Sequence, residues 1–269
     1  MSTQTHRARK RFGQNFLCDR QIIERIVAAV APKEHQQLVE IGPGQGALTS
    51  ELLIANPQLT AIEVDRDLAA QLNTRFAQYS HFKLIEGDAL KTDYREFSDA
   101  DKPLRLVGNL PYNLSTPLLF HLLGFGDLIT DMHFMLQKEV VDRMAAAPGS
   151  KTYGRLSVMV QYRCVVQPLF QVPPTAFKPA PKVESMIVRL VPRAKPALAA
   201  ENIALFENVV NTCFQLRRKT LRNCLKPLLQ TEQLDALQLD TLKISLSARP
   251  DTLSVNDFVS LSNRINCLL

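Results

Sequence analysis

The chain has 269 residues, 46% of them hydrophobic, and a formal net charge of +6 at pH 7. This length and apolar content can bury a sizeable core, which excludes a wholly disordered chain and favours one large domain with a small second one. The positive charge favours an acidic partner, either nucleic acid or an anionic membrane surface. No apolar run approaches the roughly 20 residues of a membrane span. The basic N-terminus also lacks the apolar core of a signal peptide, so we expect a cytoplasmic protein that does not bind membranes.

The cysteines and histidines are spaced too widely to suggest a metal site or a disulfide framework. The five cysteines include no CxxC pair, and the five histidines include no HExxH spacing. We therefore predict no bound metal, and we expect the cysteines to be small buried apolar groups.

The predicted elements begin with a basic arm and continue in a pattern typical of a parallel sheet. Residues 1–35 are expected to form this arm and an N-terminal helix that caps the cofactor site. From residue 36 to 191, short aliphatic runs alternate with helical patterns, as in strands joined by crossover helices. The expected strands are residues 37–41, 59–64, 82–86, 104–107, 132–136, 158–166 and 185–190. Between them, residues 66–79 predict a helix with Asp65 as its N-cap.

A change in composition marks a domain boundary after the last expected strand. Residues 192–200 lack periodicity and contain two prolines, so we interpret them as a linker. In residues 201–269 the pattern is helical: Leu205, Val209 and Cys213 repeat at helical spacing, and Ser254 begins a capping box. The predicted fold is α/β, a seven-stranded Rossmann-like sheet followed by a small C-terminal helical domain.

A glycine-rich loop follows the first expected strand of this sheet. Gly42, Gly44 and Gly46 allow a tight turn and a close approach to a ligand, but the spacing differs from GxGxxG and there is no lysine for a triphosphate. Glu63 ends the second strand and can accept both hydroxyls of a ribose, and Asp88 follows the third strand and can accept from an adenine amino group. Together these features indicate a binding site for S-adenosylmethionine. The alternative is an ordinary strand-to-helix turn with acids that cap helices.

A tetrapeptide with a chemical rationale follows the fourth strand. The Asn109 side-chain oxygen and the Leu110 carbonyl can hold an adenine N6 amino group while its nitrogen becomes tetrahedral. Pro111 stiffens the turn, and the Tyr112 ring offers a surface on which an adenine can stack. The alternative is a tight turn with Tyr112 in the core.

With these motifs, the chain resembles the ribosomal RNA adenine dimethyltransferase family over nearly its whole length, and within it the bacterial small-subunit branch. The resemblance is carried by the glycine loop and by further ordered stretches. These are residues 11–17, 87–89, 109–117, 135–140, 153–158, 172–183 and 217–222.

The resemblance implies dimethylation of N6 of two adjacent adenosines in the hairpin near the 3′ end of small-subunit (16S) rRNA. It implies a monomer that uses S-adenosylmethionine and acts on an immature small subunit. Cofactor contacts are implied for Asn15, Leu17, Gly42, Gly44, Glu63, Asp88 and Asn109. The catalytic adenine pocket is implied to comprise Asn109, Leu110, Pro111, Tyr112 and Phe177. RNA contacts are expected at Arg7, Arg9, Lys10 and Arg11, and at Arg217, Arg218, Lys219 and Arg222.

Several alternatives stay open from the sequence. Phe177, between prolines, is by itself more often a loop anchor than a stacking group, and the basic residues could form solvated faces or pair with acids of the first domain. Arg218 and Arg222 have the spacing to share one helical face. Rival functions are a large-subunit rRNA dimethylase of the macrolide-resistance type, a DNA adenine methyltransferase, and an assembly factor that mainly binds RNA.

Overall fold

The computed structural model describes residues 15–34, 36–55, 58–98, 102–237 and 239–269. The strands are β1 (Phe16–Leu17), β2 (Gln37–Ile41), β3 (Leu59–Glu63), β4 (Phe82–Glu86), β5 (Leu104–Asn109), β6 (Ile129–Gln137), β7 (Cys164–Val172), β8 (Phe177–Lys178) and β9 (Ser185–Pro192). The helices are α1 (Arg20–Val30), α2 (Ala47–Ala55), α3 (Arg66–Arg75), α4 (Ser115–Leu123), α5 (Lys138–Met144), α6 (Arg155–Arg163), α7 (Ile203–Gln215), α8 (Leu221–Leu225), α9 (Thr231–Ala236) and α10 (Val255–Asn266).

The predicted seven-stranded α/β sheet is confirmed. Its strand order is β4-β3-β2-β5-β6-β9-β7. The strands from β4 to β6 are parallel, whereas β9 runs antiparallel to β6. The carboxyl ends of the parallel strands therefore meet at one edge of the sheet, and the antiparallel β9 begins at that same edge.

Apolar side chains join the sheet to its helices. Leu38 of β2 and Val107 of β5 lie in one buried cluster with Ile26 of α1 and Leu52 of α2. Burying one such side chain contributes about 1.5–3 kcal/mol, so this cluster fixes the helices against the sheet.

Two predicted helix starts are confirmed. The Asp65 carboxylate accepts from the backbone N–H groups of Asp67 and Leu68, which makes it the N-cap of α3. Ser254 caps α10 in a reciprocal box with Asp257. Each cap satisfies backbone donors that the first turn of a helix leaves unpaired.

The strand predicted at residues 158–166 was wrong. The chain forms α6 there, and β7 begins only at Cys164. The prediction failed because the buried Leu156, Val158, Val160 and Tyr162 alternate at the spacing of a strand, although Met159 between them is buried as well. The expectation of buried cysteines was also wrong for Cys18 and Cys267, which are exposed.

The chain divides into two compact units, and one of the boundaries between them, after Pro192, lies at the start of the linker expected at residues 192–200. One unit contains the described residues up to Val141 and returns with Gln167–Pro192. The other contains Asp142–Val166 together with Arg193–Leu269. The second unit therefore includes α6, which precedes β7 and β9 in the chain.

Candidate active site

A cavity of about 140 Å³ lies at the carboxyl edge of the sheet, within the first unit. The structure brings almost all of the predicted cofactor and catalytic residues to its wall. These are Asn15, Leu17, Gly42, Gly44, Glu63, Asp88, Asn109, Leu110, Pro111 and Tyr112. Their individual roles stay predictions, but their convergence from β1 to β5 is a property of the fold.

The glycine-rich loop adopts a backbone conformation that other residues rarely take. Gly42, Gly44 and Gly46 have φ values of 68°, 59° and 76°. A Cβ added to Gly44 would lie 3.2 Å from the Phe16 ring, so a side chain at this position would also push that ring aside. Arg75 of α3 holds the loop from outside by donating to the Gln45 carbonyl over 2.8 Å.

Glu63 is 5% exposed and braces the same loop. One carboxylate oxygen accepts from the Gly44 N–H over 3.1 Å, and the other accepts from the Asp65 N–H over 3.0 Å. Burial raises the pKa of Glu63, although these backbone donors oppose the rise. The carboxyl group is therefore fixed at the cavity wall, where each oxygen can accept a further hydrogen bond.

Asp88 is half-buried in the loop that follows β4. One of its carboxylate oxygens accepts from the Leu90 N–H over 3.0 Å, which orients the side chain at the cavity wall. This placement agrees with the rule that ligands of open α/β sheets bind beyond the carboxyl ends of the strands.

Two polar residues of the cavity wall, Glu40 and His133, were missed by the sequence analysis. Both lie opposite Val107 in the register of the sheet and are 2% exposed. Burial raises the pKa of Glu40 to about 8, and the negative charge of Glu63 acts in the same direction. Burial lowers the pKa of His133 to about 4, against the opposing charge of Asp131. Both groups are therefore neutral at pH 7, and a polar residue inside an apolar strand was the signal that could have found them.

The turn after β5 is held by several hydrogen bonds. Asn109 Nδ2 donates to the Asn15 carbonyl over 3.1 Å, which turns the amide oxygen of Asn109 away from that carbonyl. The Leu110 N–H donates to the Met135 carbonyl over 3.3 Å. Tyr112 accepts from Ser115 Oγ at its own carbonyl over 3.0 Å. The turn is thus fixed to β6, to α4 and to the residue that precedes β1.

Phe177 occupies a different environment from the rest of the predicted pocket. It is 2% exposed, pairs with Leu17 in the short β1–β8 ladder, and belongs to the buried apolar cluster. It is not among the described residues that line the cavity. Its stacking role stays a prediction.

The C-terminal basic cluster (Arg217, Arg218, Lys219 and Arg222) does not form the expected helical row. Because α7 ends at Gln215 and α8 begins at Leu221, the expectation that Arg218 and Arg222 share a helical face was wrong. Arg217 pairs with Asp251 over 3.4 Å, and Arg222 pairs with Asp235 over 2.9 Å, both within the second unit.

The remaining members of the C-terminal basic cluster, Arg218 and Lys219, are exposed. The predicted RNA contacts Arg7, Arg9, Lys10 and Arg11 lie outside the described residues.

The described part of the chain contains neither a metal-binding group of side chains nor a helix that could span a membrane. Within residues 15–34, 36–55, 58–98, 102–237 and 239–269, no group of three or more His, Cys, Asp or Glu side chains could hold a metal ion. No helix among these residues has the length and apolar character to cross a membrane.

Comparison with known proteins gives a consistent result over nearly the full length. The family model for ribosomal RNA adenine dimethylase matches residues 5–267. Two bacterial proteins named ribosomal RNA small subunit methyltransferase A are similar to this chain. The Hahella chejuensis protein is 54% identical over 97% of this chain and 93% of its own length. The Pseudomonas aeruginosa protein is also 54% identical, over 97% of this chain and 95% of its own length.

Solved structures agree on the fold. A dimethyladenosine transferase from Plasmodium falciparum has a TM-score of 0.78 at 29% identity, covering 91% of this chain and 95% of that one. The 23S rRNA methyltransferase ErmE has a TM-score of 0.71 at 26% identity, covering 94% of this chain and 100% of that one.

Proposed function

This chain belongs to the ribosomal RNA adenine dimethylase family, and from that premise we propose that it dimethylates N6 of two adjacent adenosines near the 3′ end of small-subunit rRNA. It is an enzyme of the methyltransferase class. The observation that carries the proposal is the orientation of Asn109, whose amide nitrogen is bonded to the Asn15 carbonyl. The amide oxygen is thereby free to face an amino group brought into the cavity beside the Leu110 carbonyl.

The cavity wall fits S-adenosylmethionine as the methyl donor. The positive-φ glycine loop allows backbone to approach a ligand closely, and the buried Glu63 carboxyl group can accept from a ribose diol. Asp88 can accept from the adenine amino group of the donor. When bound, this cofactor supplies an electrophilic methyl group on a good sulfonium leaving group. We propose that no metal takes part.

The protein's own contribution to the reaction is to hold the acceptor nitrogen. As N6 of the target adenine attacks, its lone pair leaves conjugation with the ring and positive charge develops on nitrogen. In the first transfer Asn109 Oδ1 and the Leu110 carbonyl stabilise that charge by accepting the two N6 hydrogens, and in the second transfer the single remaining N6 hydrogen is accepted by one of them, while the Tyr112 ring stacks on the extruded base. After each transfer the methylated nitrogen loses one proton to solvent and returns to its neutral form. Loss of one such preorganised hydrogen bond commonly costs about 10² to 10³ in rate.

The proposed partner is the rRNA of an immature small ribosomal subunit, bound by a monomer in the cytoplasm. The names of the relatives at 54% identity support the small subunit as substrate. We assign phosphate contacts to the exposed Arg218 and Lys219, with the N-terminal basic arm and the other C-terminal arginines contributing.

A large-subunit rRNA substrate is the second candidate, favoured by the likeness to ErmE. The lower identity of that match, 26% against 54%, argues for the small subunit.

The test uses unmethylated small and large subunits, each incubated with the protein and a methyl-labelled donor. We expect labelled N6,N6-dimethyladenosine near the 3′ end of the small-subunit RNA, and an Asn109→Ala variant processed in parallel should give little label. Label confined to large-subunit RNA would establish the second candidate instead. RNA binding without any methyl transfer would leave an assembly factor.

A further inference from the structure

We propose that Ser185 is a positioning residue for the methyl transfer, because its hydroxyl holds the Tyr112 ring at the cavity wall. The inference rests on the proposed function, which places the Tyr112 ring against the target adenine. Tyr112 Oη and Ser185 Oγ lie 2.7 Å apart, a hydrogen bond between residues 73 positions apart in the chain.

The reversed direction of β9 brings the two hydroxyls together. Ser185 is the first residue of β9 and pairs with Gln137, the last residue of β6. An antiparallel strand therefore begins where its parallel neighbours end, beside the turn that follows β5. A parallel strand in the same place would begin at the opposite edge of the sheet, far from Tyr112.

Burial stabilises this hydrogen bond, because a buried hydroxyl cannot replace its partner with water. Ser185 is fully buried, with 0% of its surface exposed, and Tyr112 is half-buried. Burial raises the pKa of Tyr112, which keeps the phenol neutral in the physiological range. A buried hydroxyl that loses its partner is left unsatisfied, so the ring gains little by turning away from Ser185.

The backbone of the turn is held separately from the ring. Ser115 Oγ donates to the Tyr112 carbonyl over 3.0 Å, and the Leu114 N–H donates to the Pro111 carbonyl over 3.0 Å. Removing the Ser185 hydroxyl should therefore release the aromatic ring without unfolding the turn. Ser115 provides a matched control, since it is also a buried serine bonded to residue 112, but to its carbonyl.

The experiment measures kcat and KM for RNA in Ser185→Ala, Tyr112→Phe and the double variant. Each single change breaks the same neutral hydrogen bond, so kcat should fall about 3- to 10-fold in each. The double variant should fall no further than the single ones, with KM for RNA and cofactor affinity unchanged. Ser115→Ala should instead have the same effect in the wild type and in Tyr112→Phe.

The possible outcomes separate this inference from the proposed function. Wild-type protein that transfers no methyl group to RNA adenine would overturn the function itself. If the wild type is active but the decreases in kcat caused by Ser185→Ala and Tyr112→Phe multiply in the double variant, the positioning role alone is overturned. If Ser185→Ala fails to fold, Tyr112→Phe decides the matter, because wild-type kcat in that variant would show that the bond has no catalytic consequence.

Discussion

Replacing Asp131 by Asn should destabilise the protein strongly, because this buried carboxylate pairs with two guanidinium groups, one of which is itself buried. Asp131 is 1% exposed. It accepts from Arg105 over 2.8 and 3.1 Å and from Arg189 over 3.1 and 3.0 Å. Arg105 also donates to the Val30 carbonyl over 2.7 Å, so the same cluster holds the last residue of α1 next to the start of β5.

The magnitude follows from how deeply the partners are buried. The Arg105 side chain is 11% exposed, and removing one partner of a buried ion pair typically costs about 3–5 kcal/mol. The Arg189 side chain is 39% exposed, so its share is small. Because Asn keeps one acceptor oxygen, we expect the low end of that range, about 3 kcal/mol. For a chain of this size that corresponds to a drop in melting temperature of roughly 6 to 12 °C.

A matched control separates burial from ion pairing. Asp93 and Arg95 form a pair of the same geometry, 2.8 Å, but their side chains are 39% and 70% exposed. Asp93 also caps a short helical turn, a role that Asn fills equally well. Thermal unfolding followed by circular dichroism should show no measurable change in Asp93→Asn. Equal losses in the two variants, or no loss in Asp131→Asn, would refute the reasoning.

The stability that Asp131 contributes also has a predictable pH dependence. Burial alone would raise the pKa of Asp131, but hydrogen bonds and charge from Arg105 outweigh it, so the pKa is lowered. A carboxyl group with a lowered folded pKa contributes stability above its unfolded value, about 3.9, and loses it as pH falls through the folded value. The difference in unfolding free energy between wild type and Asp131→Asn should therefore shrink below pH 4.

Three further changes test the site and the RNA surface. Glu63→Ala should weaken S-adenosylmethionine binding by about 10- to 100-fold, as measured by calorimetric titration, because two acceptor positions are lost; unchanged affinity would place the ribose elsewhere. In the wild type, Glu40 should make the free energy of unfolding decline by up to about 1.4 kcal/mol per pH unit between pH 4.5 and 8, because only the folded state keeps the Glu40 proton in that range. Glu40→Gln should remove this decline. If urea unfolding gives the same pH dependence for both proteins, this expectation is contradicted. Changing Arg218 and Lys219 to Gln should reduce the slope of log affinity for RNA against log salt concentration by roughly 0.7 to 0.9 for each residue. Arg217→Gln should mainly lower stability, because its ion pair with Asp251 is lost. A wild-type slope in the variant with both Arg218 and Lys219 changed would exclude phosphate contact by these two residues.

That the predicted cofactor residues meet at one edge of the sheet could be inferred from the sequence, because the signals for it are local. Gly42 and Glu63 each follow or end a buried strand, and parallel strands bring their carboxyl ends to one edge without further information. The contacts that orient these groups are different. Nothing near Tyr112 in the chain indicates that Ser185 will meet its hydroxyl, since that contact depends on the direction of β9.

The second unit was harder to predict, because its boundary is set by packing between distant segments. The sequence of residues 142–166 continues the alternation of strand and helix patterns, yet in the structure these residues form one unit with the chain after Pro192. Gln161 of α6 donates to the carbonyls of Met144 and Ala146 over 2.8 Å each, which ties the helix to its own segment. Such hydrogen bonds produce no periodic pattern in the sequence from which they could be predicted.

The acidic side chains of the cavity show why residue type alone does not assign a role. Glu40, Glu63 and Asp88 all line the cavity. Glu40 is buried and has a pKa near 8, so at neutral pH it is a neutral group that can donate as well as accept. Glu63 is held by backbone N–H donors that favour its charged form, and Asp88 is half-buried and accepts from a neighbouring N–H. The acceptors suited to hydroxyl and amino groups are therefore the two acids at the ends of strands, and the acid inside a strand has a different chemistry because burial raises its pKa.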